Sequence, residues 1–194
     1  MFLFRRRLVA FLLACACLSA GESPLKPNEI DLLRSGEVVF HEEAEQSTTA
    51  TILIEATAEA VWDFINQGDN APEYTEGMIR AQVLDRGEDY SIIEQEMKVR
   101  PIPGSFVYTI KNQLTEKFRR IDFERQSGDL KEIKGFWRLQ PLDSGERTSL
   151  TYSLKLSTGF PVPKSMMRNS ARKNIFDVLV KLRSHVSQGA SKKP

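Results

Sequence analysis

Residues 167–186, MRNSARKNIFDVLVKLRSHV, place Met167, Ala171, Ile175, Val178, Leu182 and Val186 at intervals of three and four, the spacing that lines one face of an α-helix. At 3.6 residues per turn the stripe is about five turns long, and the remaining faces are mostly polar or charged. A helix of this kind must lie on apolar surface supplied by the rest of the chain. Pro161 and Pro163, just upstream, set its start, because proline fits only ahead of or within the first turn.

That surface is found by reading back towards the N-terminus. From Met78 to Thr158 the apolar period changes from 3.6 to two, with breaks at 86–89, 101–104, 116–117, 127–129 and 143–145, and about six antiparallel strands fit between them. Ile93, Gln95, Met97 and Val99 share one face of their strand, while Glu94, Glu96 and Lys98 share the other. The same alternation groups Phe106, Tyr108 and Ile110; Ile121 and Phe123; Ile133, Gly135, Trp137 and Leu139; and Leu150, Tyr152, Leu154 and Leu156. The predicted sheet is apolar and aromatic on one face and charged on the other, and the long helix belongs on the apolar face.

Further upstream, Glu37–Glu42 and Thr48–Glu55 read as strands, the second running into a short amphipathic helix over 58–66 with Thr57 as N-cap. After the break at 67–70, Asn70 caps one more helical turn around Glu73 and Tyr74. Residues 22–35 read as a polar, proline-containing lead. Met1 to Gly21 opens with Arg5, Arg6 and Arg7, continues through the apolar run Leu8–Leu13 and closes in small residues, the order of a secretory signal. The apolar run falls short of the roughly 20 residues a membrane span needs. The expectation is a signal peptide over 1–21 and a mature chain in the periplasm or secreted, with lipid attachment at Cys15 as the alternative, because Leu12-Leu13-Ala14-Cys15 is similar to a lipobox.

Composition narrows the chemistry. Both cysteines, Cys15 and Cys17, fall within the signal-like segment, so the mature chain has no thiol for a disulfide, a zinc site or a nucleophile. The two histidines, His41 and His185, have no metal-ligand spacing around them; neither a metal nor another cofactor is expected. A formal charge of +1 argues against a nucleic-acid partner. At 194 residues the chain suits one domain, taken as 48–188, with 22–47 as a lead holding an extra strand and 189–194 as a basic tail. A monomer is expected. Charge is unevenly spread: residues 161–194 carry eight bases and one acid, whereas 22–160 carry 16 bases and 25 acids.

Ala56-Thr57-Ala58-Glu59-Ala60-Val61-Trp62 resembles the strand-to-helix opening "A-x-x-E-x-V-W" of the START-like (SRPBCC) superfamily, with its polyketide cyclase/dehydrase and coenzyme Q-binding branches. Residues 121–139, from Ile121-Asp122-Phe123 through Gly128 and Leu130 to Gly135-Phe136-Trp137-Arg138-Leu139, are similar to that superfamily's mid-sheet segment. The resemblance spans about 50–186, although residues 70–77 are poorer in aromatics than the coenzyme Q-binding pattern. It implies an α+β helix-grip fold: a curved antiparallel sheet of about seven strands wrapped around a long C-terminal helix, with two short helices after the first strand. It further implies a cavity between sheet and helix that takes a hydrophobic small molecule or lipid. Members range from carriers to aromatase/cyclase-type enzymes, so both activities are kept open.

The residues expected to line that cavity are Gln95, Met97, Tyr108, Phe123, Trp137 and Tyr152 from the sheet and Met167 and Ile175 from the helix. Each aromatic taken alone is as well explained as core, but Tyr and Trp carry polar tips and Gln95 an amide, and these need partners when buried. No carboxylate or histidine falls on the inner sheet face, which weakens an enzymatic reading; Asp122 is expected to pair with a base on a neighbouring strand. Phe160, Lys164, Arg168, Arg172 and Lys173, beside Met166 and the 159–163 loop, form a basic, partly apolar end to the helix. Besides an ordinary solvated face, this end fits a cavity mouth resting on an anionic lipid surface.

Overall fold

The computed structural model describes residues 26–41, 47–100 and 102–190. The signal-like segment with Cys15 and residues 191–194 of the tail lie outside them. Eight strands build one antiparallel sheet in the order β1-β2-β8-β7-β6-β5-β4-β3, comprising β1 (Val39–Phe40), β2 (Thr48–Ile54), β3 (Met78–Arg86), β4 (Tyr90–Met97), β5 (Phe106–Glu116), β6 (Arg120–Gly128), β7 (Glu132–Leu142) and β8 (Arg147–Ser157). Four helices accompany it: α1 (Pro27–Arg34), α2 (Ala58–Asn66), α3 (Ala71–Tyr74) and α4 (Lys164–Ala190). This is the α+β helix-grip arrangement, with β3 to β8 as the six-strand meander and β1 as an added edge.

Alternation fixes which way each strand faces. Ser91, Ile93, Gln95 and Met97 of β4 are buried, while the residues between them are half-exposed. β5 continues the same inner face with Phe106, Tyr108, Ile110 and Asn112, in register so that Ile93 opposes Ile110 and Gln95 opposes Tyr108. α4 lies against this face. Ile175, Val178, Leu179, Leu182 and Val186 are all buried, and each such side chain contributes about 1.5–3 kcal/mol by leaving water.

Thr57 caps α2 as expected, its hydroxyl accepting a hydrogen bond from Ala60 N at 3.3 Å. Asn70 does not cap α3: its amide donates instead to Phe64 O and Gln67 Oε1, tying the turn back onto α2. The larger departure is at the N-terminus. The lead forms α1, with Pro27 in its first turn and Glu29 bonded back to Lys26 N. Leu33 of α1 joins Val39, Leu53 and Leu142 in a second small core. The outer face is therefore apolar and covered at β2, rather than uniformly charged, because α1 and β1 pack there. Asp122 also differs from expectation. It pairs with Arg120 two residues before it on the same strand, at 2.8 Å, and with Thr115, since adjacent outward positions on one strand bring the guanidinium within reach.

Candidate ligand cavity

Between the inner face of the sheet and the first half of α4 lies a cavity of about 740 Å³. Gln95, Met97, Tyr108, Phe123, Trp137 and Tyr152 line it from the sheet, and Met167 lines it from α4. Ile175 does not reach it; one and two turns further along the helix from Ala171 and Met167, it is sealed in the core. Empty and dry, a void of this size would cost about 18 kcal/mol at about 24 cal/mol per Å³, more than a domain's usual stability. It is a space for solvent or a ligand.

Its centre is an aromatic wall. The Trp137 and Tyr152 rings stack at 3.8 Å with only 7° between their planes. Tyr74 meets Trp137 edge-on at 6.4 Å, and Phe123 lies 6.1 Å from Tyr152. Gly135 makes room for this wall: a Cβ there would stand 2.6 Å from the Phe123 ring and 1.9 Å from Ser153 O. Burial pushes the phenols of Tyr74, Tyr108 and Tyr152 well above their ordinary value, and the neighbouring phenols add to the shift at Tyr152. All three are neutral hydrogen-bonding groups at physiological pH.

The mouth opens beside the start of α4. Its rim is formed by 74–78, by Lys98–Arg100 after β4, by Phe160 and Val162, and by Arg168 and Ser170 of α4. Gly77 has φ +83, and a Cβ there would sit 2.6 Å from Lys98 O; only glycine lets these two rim segments join through the 2.8 Å bond from Lys98 N to Gly77 O. Lys173 bridges the rim, donating to Glu76 at 2.9 Å and to Asp177 at 2.5 Å. That bridge holds the Glu76 carboxyl below its ordinary value, chiefly through the Lys173 hydrogen bond. Phe160, 59% exposed, packs edge-on against Phe106 at 6.2 Å.

Of the basic residues expected at this end, Arg168 lines the mouth and Lys173 is held by its two carboxylates. Arg172 turns away, its guanidinium 4.0 Å from the centre of the Phe40 ring on β1; the Lys164 side chain lies outside the described residues. Several wall residues were missed from the sequence. Asn112 continues the alternation of Tyr108 and Ile110 by one step and was legible there. Tyr74, Asn174 and Asp177 reach the cavity from helices, and no alternation in the sheet points to them. Asp177 and Glu76 give the wall two carboxylates that the inner sheet face lacks, both already engaged by Lys173.

Comparison with known proteins agrees with this architecture. Residues 54–183 match the profile of the family described as polyketide cyclase / dehydrase and lipid transport. The chain belongs to this family. The family domain begins at the last residue of β2, so α1 and β1 precede the matched segment. Among solved structures, a START superfamily protein from Mycobacterium smegmatis is 18% identical, covering 73% of this chain and 97% of that one, with a TM-score of 0.64. A STAR-related lipid transfer protein from Xanthomonas axonopodis is 16% identical over 77% and 98%, with a TM-score of 0.61. The Zhui aromatase/cyclase from Streptomyces sp. R1128 is 17% identical over 75% and 93%, with a TM-score of 0.60. At these identities the likeness is one of fold. No curated protein matches.

Proposed function

We propose that this protein is a secreted or periplasmic binding protein that holds a hydrophobic small molecule or lipid non-covalently in the sheet–helix cavity and exchanges it at a membrane surface. The observation that carries this reading is the cavity of about 740 Å³ with an aromatic wall and a mouth, a size within the range of small-molecule sites. Exchange at a membrane is supported by the rim, where exposed Phe160 and Met166 stand beside Arg168, Lys98 and Arg100, apolar tips and positive charge suited to an anionic leaflet. Secretion is supported by the order of residues 1–21 alone. Organic extraction and native mass spectrometry of the protein purified from its own host, with thermal stabilisation measured across a lipid and aromatic panel, test the binding. Recovery of a bound hydrophobe supports it; an empty protein that no panel member stabilises overturns it. Vesicle co-sedimentation tests the docking, which should weaken with salt and with Arg168→Ala; binding unaffected by either, or absent on anionic vesicles, overturns it.

An aromatase/cyclase-type activity on an apolar substrate is the second reading, favoured by three protonated phenols and two carboxylates in one wall. Turnover of a polyketide-like substrate that is lost in Tyr108→Phe, with binding retained, would establish it over the carrier reading.

A further inference from the structure

A second cleft, of about 570 Å³, lies on the outer face of the sheet, across β5 to β8. Its charged side chains alternate with the inner wall: Glu124 follows Phe123, Lys134 and Phe136 flank Gly135, and Lys155 follows Leu154. Among the described residues, only Phe123 lines both this cleft and the ligand cavity. The placement of its lysines works against the fold. Lys134 of β7 stands directly opposite Lys155 of β8, and like charges so placed destabilise a sheet. Among the described residues the two ammoniums share one carboxylate, Glu132, at 3.4 and 3.2 Å. The Lys155 side chain is only 22% exposed, so water and salt screen its charge less than that of a free surface lysine.

The acids of the cleft do not cancel this charge. Asp122 is taken by Arg120 at 2.8 Å and by Thr115 at 2.7 Å. In register, Glu124 stands between Lys111 and Lys134. The row across the four strands therefore reads Lys111, Glu124, Lys134, Lys155, and with Glu132 it keeps one positive charge in excess. Residues 22–160 hold 16 bases and 25 acids, so this cleft is a positive exception on an acidic body. A monoanionic head at the lysine pair removes the excess, and a carboxylate offers one oxygen to each ammonium. A dianion is opposed by Glu124 and Asp122 in the same lining. Phe136 follows Lys134 by two residues, about 7 Å along the strand. It adds apolar area beside the head, and Arg120 holds its ring at 4.4 Å. The volume exceeds what a carboxylate alone fills and lies within the range of small-molecule sites.

We infer that the outer cleft is a second ligand site, taking a small organic carboxylate with its head between Lys134 and Lys155 and its apolar body against Phe136. This site is on the opposite face of the sheet from the aromatic wall, and it stands whatever the sheet–helix cavity holds.

Nuclear magnetic resonance titration of the full protein with benzoate, benzyl alcohol, benzylamine and phenyl phosphate tests it. Benzoate protons should give intermolecular Overhauser effects to the Phe136 ring, whereas occupation of the inner cavity would give them to Trp137 and Tyr152. At the outer site benzoate should bind about fivefold or more tighter than benzyl alcohol, and benzylamine should give no effect there. Lys134→Gln and Lys155→Gln should each weaken benzoate about threefold to fivefold, and raised salt should weaken it in the wild type. Lys181→Gln, an equal loss of charge on the exposed face of α4, should leave it unchanged. Each of the two cleft variants removes one member of a like-charge pair, so neither should lower Tm by more than about 2 °C. Benzoate effects confined to Trp137 and Tyr152 overturn the inference, as does no binding of benzoate at all. So do the alcohol, the amine or phenyl phosphate binding at Phe136 more tightly than benzoate, and lysine variants that keep full affinity.

Discussion

Trp137→Phe separates a wall residue from a core residue. The chain has two tryptophans, and Trp62 sits on α2 against Phe118, at 5.8 Å, outside the cavity wall. In a Trp62→Phe background all indole emission therefore comes from Trp137. One face of that indole is stacked on Tyr152 at 3.8 Å, and the Tyr74 ring meets it edge-on. Shrinking it to a benzene ring loses part of a pair worth about 0.5–1.5 kcal/mol beyond burial, together with a few buried atoms worth about 1 kcal/mol. Those atoms border space that is already open, so no new sealed void is created and the cavity penalty of a core truncation is avoided. The expected cost is about 1–2 kcal/mol, a fall in Tm of about 2–8 °C for a chain of this size. Affinity for 2-naphthol should drop about tenfold. Circular dichroism melts and equilibrium dialysis measure the two effects. A fall in Tm beyond about 12 °C, with 2-naphthol affinity unchanged in the folded fraction, would place Trp137 in the core and refute the reasoning.

Gly135→Ala should destabilise the fold by about 3 kcal/mol or more, because its Cβ would stand 1.9 Å from the Ser153 carbonyl oxygen inside the paired β7–β8 ladder; a Tm within about 2 °C of wild type would contradict the close approach. Thr57→Ala should cost about 1 kcal/mol through loss of the α2 cap, read as a shift in the urea midpoint without a change in slope. Alkaline pH should act through the tyrosines. All four have phenols raised above the ordinary value of 10.0, three by burial and Tyr90 by its hydrogen bond to Asp85. Protonated phenol is favoured by the folded state, so that stability is intact below pH 10 and falls as pH rises above it. Absorbance at phenolate wavelengths should show Tyr90 ionising in the folded protein and the three buried phenols ionising only together with unfolding; stepwise ionisation of all four in a folded protein would contradict the burial of the three.

Much of the fold was legible because one physical rule governs each part of it. Period two in β4 through β8 and the three-and-four spacing of Ile175, Val178, Leu182 and Val186 both report a single buried face, and the structure places those faces together. The cavity was legible in part for the same reason: Gln95, Tyr108, Trp137 and Tyr152 lie on the inner face, and a polar or amphipathic side chain there asks for a partner. What escaped were features set by contacts distant in sequence. α1 is eight residues long with a single fully buried side chain, Leu33, so its apolar pattern is too short to read without Leu53 and Leu142 opposite it. The lead was read as irregular, and Pro27 and Glu29 show themselves as its helix start only in the structure. Arg172 was assigned to the mouth by proximity in sequence, but one residue is about 100° of helix rotation, enough to turn it from Lys173's side towards Phe40.

The same rotation divides α4 into two halves with different work. From Ile175 onward the helix buries an apolar residue at nearly every inward position, and Arg183 Nη1 holds it to Gly36 O of the lead at 2.9 Å. Before Ile175 the inward residues are Met167, Ala171 and Asn174, which face the cavity, and attachment depends on polar ties: Ser170 to Arg100 O at 3.3 Å and Lys173 to Glu76 at 2.9 Å. Exposed ties of this kind are individually worth little, whereas the buried stripe contributes to global stability. Local opening follows the weakest attachment, so amide hydrogen exchange in α4 should be faster before Ile175 than after it, and equal protection along the whole helix would contradict this division.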